Sequence, residues 1–125
     1  MKLNLKTLTS ICTLSLLATH QVDASWQEEW ELFGVPGGIE FFLAFNFIAV
    51  VVLLISFVKK IEGVNISKFW KYLLPGTGIF TFVIHACFIA IGYPHFTQVG
   101  SLVILFLLAI FSIMEIWLEV NGKTA

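Results

Sequence analysis

The stretch from Phe41 to Val58 constrains this chain more than any other: eighteen residues, interrupted only by Asn46 and Ser56 and stopped by Lys59-Lys60. A run of that length and apolarity matches a membrane-spanning helix of about 20 residues. Two more such runs follow, Tyr72 to Tyr93 and Phe96 to Leu118. Backbone polar groups in lipid must be satisfied within the segment, so these runs are expected to be helices.

The composition agrees. Hydrophobic residues make up 58% of the 125 residues and charged ones only 12%, against roughly 45–50% and 25% in soluble domains. This is an integral membrane protein, and its length allows one membrane domain, 1–125, with the lipid bilayer as its first partner. With a net charge of −1 and no arginine it lacks a basic surface, which excludes nucleic acid as a partner. Cys12 and Cys87 lie inside apolar segments, without CxxC spacing, and read as small buried hydrophobes.

The first segment is open to two readings. Lys2 and Lys6 precede a moderately apolar run from Leu8 to Ala18, with Val22-Asp23-Ala24 before Ser25. That is the pattern of a cleaved signal peptide, which would leave three spans. It also fits a retained first helix, about 3–22. Thr7, Thr9, Ser10, Thr13, Ser15 and Thr19 make it a weak span alone, but hydroxyls in a packed membrane helix bond to their own backbone or to a neighbour.

The remaining helices are expected at about 41–58, 72–93 and 96–118, with an acidic connector over 23–40. In that connector Trp26 and Trp30, four residues apart, would share one face of an interfacial helix. Gly34-Val35-Pro36-Gly37-Gly38 and Gly92-Tyr93-Pro94-His95 are turns. Pro75 is expected in the first turn of its helix, where a missing amide hydrogen does no harm. Gly76, Thr77, Gly78 and Thr81 suit close helix packing.

The lysines give the orientation. With four spans, all seven fall on one side: Lys2 and Lys6, then Lys59, Lys60, Lys68 and Lys71, then Lys123. The positive-inside rule places both termini in the cytoplasm and the acidic connector outside.

All three histidines then lie in the outer half. His20 ends the first helix with Asp23 one turn on; Glu29 sits in the connector and His95 in the outer turn. His85 lies about 12 Å inside the outer end of its helix. Imidazoles with carboxylates are the donor set for zinc, iron or manganese, so His20, Asp23, Glu29, His85 and His95 are the candidate ligands of a divalent metal. No HExxH or ExxH spacing accompanies them. Outer acids are commonly just solvated, and His95 in a turn reads equally as a surface residue. His85 within a span is a functional candidate because lipid disfavours ionisable groups; the plain alternative is a neutral imidazole bonded to Thr81. Asn46 and Glu115 are further polar residues within spans. Glu115, roughly 28 Å from the outer turn, cannot join the outer group and is expected either to snorkel to the inner interface or to pair with a Ser, Thr or Asn of another helix.

The pattern His20-x-x-Asp23-Ala24, Glu29-Trp30-x-x-Phe33, two apolar spans with a late histidine, Pro94-His95 and a last helix ending near an acid resembles a family of small, uncharacterised four-helix bacterial membrane proteins. In that family His-Glu-x-Asp-Ala and Glu-Trp close the first helix. Gln21 stands here where the family has glutamate, and the third helix has one histidine where the family often has two. The resemblance covers about residues 8–118. It implies an all-α, four-transmembrane-helix bundle in the inner membrane with a retained first helix, and it implies no activity.

Three functions remain open. One is a protein acting through helix or partner contacts, of assembly, sensing or immunity type, with a membrane-protein partner or its own copies. Another is a metal-dependent or acid–base enzyme on a lipid-like substrate, which requires His20, Asp23, Glu29 and His85 to converge within about 6 Å around a polar pocket. The third is a carrier or channel subunit with polar residues along one path.

Overall fold

The computed structural model describes residues 3–122; Lys2 and Lys123 lie outside them. Those residues form five helices: α1 (Leu5–Trp26), α2 (Glu29–Leu32), α3 (Gly38–Glu62), α4 (Lys68–Ala90) and α5 (Val99–Asn121). Among them α3, α4 and α5 are long and apolar enough to cross a membrane. The fourth long helix, α1, reaches 22 residues without reaching that hydropathy.

The four long helices run alternately up and down. α1 packs on α5, α5 on α4, and α4 on α3; α3 returns to α1 more loosely. The two chain reversals after α3 and α4 make α4 and α5 antiparallel neighbours, as the tight turn before the last helix demands. One pole of the bundle collects Lys6, Lys60, Lys71 and Glu119; the other collects His20, His85 and Phe96.

The helices extend beyond their apolar cores, which corrects the expected boundaries. α1 runs on to Trp26. α3 starts at Gly38, behind the left-handed Gly37 at φ 99, and carries Glu40 in its first turn and Lys59 and Lys60 in its last. Acid at a helix start and base at its end both favour the helix dipole. Gly63, at φ 67, stops it with its amide on the Lys59 carbonyl. α4 starts at Lys68, so Pro75 lies inside the helix and not in its first turn. There it removes the amide that would have reached the Lys71 carbonyl. The last helix starts at Val99, three residues later than expected.

The connector is no single amphipathic helix. Glu28 adopts a left-handed φ of 53, which breaks the chain between α1 and α2. Trp26 is left 79% exposed, whereas Trp30 turns inward onto Phe42, ring centroids 5.3 Å apart. The two tryptophans therefore do not share a face.

α1 owes its place to its hydroxyls. Its buried side chains are Thr9, Ser10, Thr13, Leu17, His20 and Ala24, a helical stripe turned toward the other helices. Thr9 and Thr13 donate to carbonyls of the preceding turn, and Ser10 crosses to Glu115 Oε1 at 2.7 Å. The opposing stripe of α5 is Ser101, Leu105, Leu108, Ala109, Ser112 and Glu115. On α4, a Cβ on Gly78 would overlap the Ser112 hydroxyl, whereas Gly76 faces open space. Of these two glycines it is Gly78 that permits the close approach of α4 to α5. Both cysteines are free; Cys12 is half-buried, but Cys87 is exposed on the outer surface of the bundle, contrary to its reading as a buried hydrophobe.

Candidate metal centre and cavity

Two polar centres occupy the poles. At the lysine pole, Lys60 of α3 reaches Glu115 of α5 as a buried ion pair. Its Nζ also lies 3.2 Å from Ser10 Oγ of α1 and 3.5 Å from Glu119 Oε1. Glu119 Oε2 meets Lys6 at 3.4 Å and Lys71 of α4 at 3.2 Å. Every long helix contributes to this network. Glu115 thus pairs with a serine, as expected, and also with Lys60, which the sequence presented only as the end of a span.

At the other pole, three residues from three helices converge. His20 comes from the last turns of α1, Glu29 from α2 and His85 from α4. One ligand atom from each lies within 4.8 Å of the others, and all three residues are buried. The break at Glu28 turns α2 back over the bundle, which leaves Glu29 only 8% exposed. The imidazoles meet edge to face, centroids 4.7 Å apart at 83°. Phe96 closes the group, 4.3 Å from the His85 ring and 5.5 Å from that of His20. Phe96 is 1% exposed and sits at φ 63, a costly conformation for a bulky residue. Two left-handed non-glycine residues, Glu28 and Phe96, therefore frame the group. Such strain concentrates where the surrounding structure holds a residue in place for use.

The hydrogen bonding of His85 defines its free nitrogen. Nδ1 lies 2.7 Å from the Thr81 carbonyl. A carbonyl only accepts, so Nδ1 carries the hydrogen. This is the expected bond to Thr81, made to its backbone. Nε2 then faces Glu29 Oε1 at 3.0 Å, without a hydrogen bond aligned between them. A lone pair and a carboxylate oxygen at that separation repel unless a cation, proton or metal, lies between. An imidazole that donates its far N–H to a backbone carbonyl is the arrangement that orients metal-ligating histidines.

Of the expected ligands, His20, Glu29 and His85 come together; Asp23 and His95 are not members of the group. Both are half-buried. Asp23 follows His20 by one turn on the same helix and its Oδ2 is buried without a hydrogen-bond partner, but it does not come within the 4.8 Å that the other three share. His95 precedes the left-handed Phe96, whose ring takes the place beside His20. The pairing of Phe96 and Phe33 with His85 had no sequence signal beyond the number of phenylalanines. Asn46 is not in the group but lines the cavity beneath it; its amide donates to the Phe42 carbonyl at 2.8 Å.

Beneath the group runs a cavity of about 740 Å³ between α1, α3 and α4, covered by α2. His20, Glu29 and His85 line its top, and Trp30 its cover. Its walls are overwhelmingly apolar, not the polar pocket the enzyme reading expected. Along α3 it extends from Phe41 to Leu54, thirteen steps or about 20 Å. Leu17 and Leu53 line it and belong with Leu74 and Leu108 to a buried leucine cluster. Ala18 of α1 and Phe45 and Leu54 of α3 line it and are also exposed on the outer surface, so it opens through the side of the bundle, where α1 and α3 pack loosely.

These features define a helical bundle with membrane-span-like helices and a buried imidazole–carboxylate group at one pole. The chain belongs to a family of unknown function, DUF6713, whose model matches residues 6–122. No curated protein and no solved structure matches it.

Proposed function

We propose that this protein is a small bacterial inner-membrane enzyme. In this reading His20, Glu29 and His85 hold a divalent cation that acts on a lipid-like substrate lodged in the cavity. One observation carries it: three buried ligating groups from α1, α2 and α4 meet within 4.8 Å at the head of an apolar cavity. A protein acting only through helix contacts leaves that convergence without a use, and an apolar cavity is a poor path for ions.

Two imidazoles and one carboxylate are a three-ligand set of the kind that leaves coordination positions for water or substrate; zinc and ferrous iron fit it. Such a cation polarises a carbonyl or ester oxygen, or generates a hydroxide at neutral pH. His85, fixed by Thr81, orients the set. Phe96, Phe33 and α2 exclude water, which strengthens every charge interaction in the site.

α1 is the fourth span. The hydroxyls of Thr9, Thr13 and Thr19 are bonded within the helix and that of Ser10 to Glu115, which offsets its weak hydropathy, and it supplies His20. Lys6, Lys59, Lys60, Lys68 and Lys71 share the pole opposite the histidines, and the positive-inside rule puts that pole and both termini in the cytoplasm.

The test is metal analysis of the purified full-length protein together with its intact mass. About one cation per chain, lost in His20→Ala and in His85→Ala, is expected. An intact chain without metal overturns the metal reading. A chain lacking its first 24 residues overturns the site itself, because His20 would be gone.

A further inference from the structure

We infer that the cavity takes one chain of a single-chain, singly charged anionic amphiphile, of the fatty-carboxylate class, with its carboxylate at His20, Glu29 and His85. This rests on the reading just given and names the substrate class.

Volume limits the chain number. At about 30 Å³ per methylene-sized group, the share of liquid volume a water takes, the cavity of about 740 Å³ holds roughly 25 such groups. One chain of sixteen or eighteen carbons with its head fits inside; the two chains of a phospholipid would not both lie within it. Length agrees. A cavity of about 20 Å along α3 is close to one leaflet, half of a hydrocarbon core of about 30 Å. The chain would lie beside α3 between Phe45 and Leu54 and end toward Leu53 and Leu54. It would enter from the bilayer through the gap between α1 and α3.

Charge selects the head. A dication on the three ligands, of which Glu29 is the one carboxylate, carries one net positive charge at the point of coordination; Asp23, one turn beyond His20, is not a ligand. One carboxylate head neutralises the buried assembly. A phosphate dianion would leave a negative charge there, and every described lysine lies at the other pole or in the loop beside it. A neutral alcohol head would leave the positive charge unmatched.

The experiment measures binding of palmitate, hexadecyl phosphate, hexadecanol and dipalmitoyl phosphatidylglycerol to the full-length protein in nanodiscs, by native mass spectrometry and labelled-ligand competition. Metal content is measured on the same samples. Palmitate is expected at one per chain. Its affinity should fall roughly tenfold or more when the cation is chelated or His85 becomes Ala, the scale of a charge-assisted contact, while hexadecanol stays as it was. Ala49→Phe fills the cavity from α3 without touching the three ligands. It should abolish palmitate binding and leave the metal in place.

Palmitate binding that Ala49→Phe does not change, or no palmitate binding, overturns the inference while a bound cation leaves the metal reading standing. Equal binding of the phosphate or the two-chain lipid overturns the head-group and single-chain assignments in the same way. A metal-free protein, by contrast, removes the reading on which the head-group assignment stands.

Discussion

His85 concentrates the physical argument into one ring. Its Nδ1–H is spent on the Thr81 carbonyl, so whatever the site does passes through Nε2. His85→Gln keeps a polar group of similar reach but loses the ring geometry; it should cost metal occupancy at least tenfold, as loss of a ligand does, with helix content by circular dichroism unchanged. Gly78 is the residue whose size matters most to packing. Because a Cβ there meets Ser112 and Leu108, Gly78→Ala should force α4 and α5 apart and destabilise by about 1–3 kcal/mol. Gly76→Ala, facing open space, should be neutral or slightly stabilising. Thermal denaturation of the two variants in detergent checks the contrast.

At the scale of elements, α1 and α2 do what their composition does not advertise. The apolar spans were legible because a long run of Leu, Ile, Val and Phe has few alternatives. The polarity of α1 was legible too, but the identity of its partner, Glu115, was not, since the contact joins residues 105 positions apart. Of the site, His20, Glu29 and His85 were legible as residue types on one side of the membrane. Their convergence was not, because it depends on the left-handed turn at Glu28, which nothing but its glutamate marks. Asp23 and His95 carried the same chemical signal as the three that converge, and only the distances in the folded chain set them apart. Ser10→Ala tests the α1–α5 contact: it leaves Glu115 with Lys60 as its remaining close partner. A loss of about 1–2 kcal/mol is expected for a hydrogen bond to a charged group, read as a lower unfolding temperature.

The whole molecule is asymmetric from pole to pole. At the lysine pole an ion-pair network joins all four long helices; at the histidine pole α3 stands off from α1 and encloses the cavity. Lys60 is the centre of the network, 6% exposed in its side chain, against 1% for Glu115. Lys60→Met should cost about 3 kcal/mol or more, because it strands a buried carboxylate, whereas Lys60→Met combined with Glu115→Leu should recover most of that loss. Chemical denaturation of both variants decides this. A double variant as weak as the single one would mean that Glu115 answers to another partner.

This asymmetry gives unfolding a direction. A sheaf bound at one end comes apart from the other. On warming, α3 should part from α1 at the histidine pole first, because contact alone holds them there, while the charged knot keeps the strands gathered. The cation, and with it any chemistry, should therefore be lost at a temperature below that at which the helices themselves melt. The two events should merge when the knot is cut at Lys60.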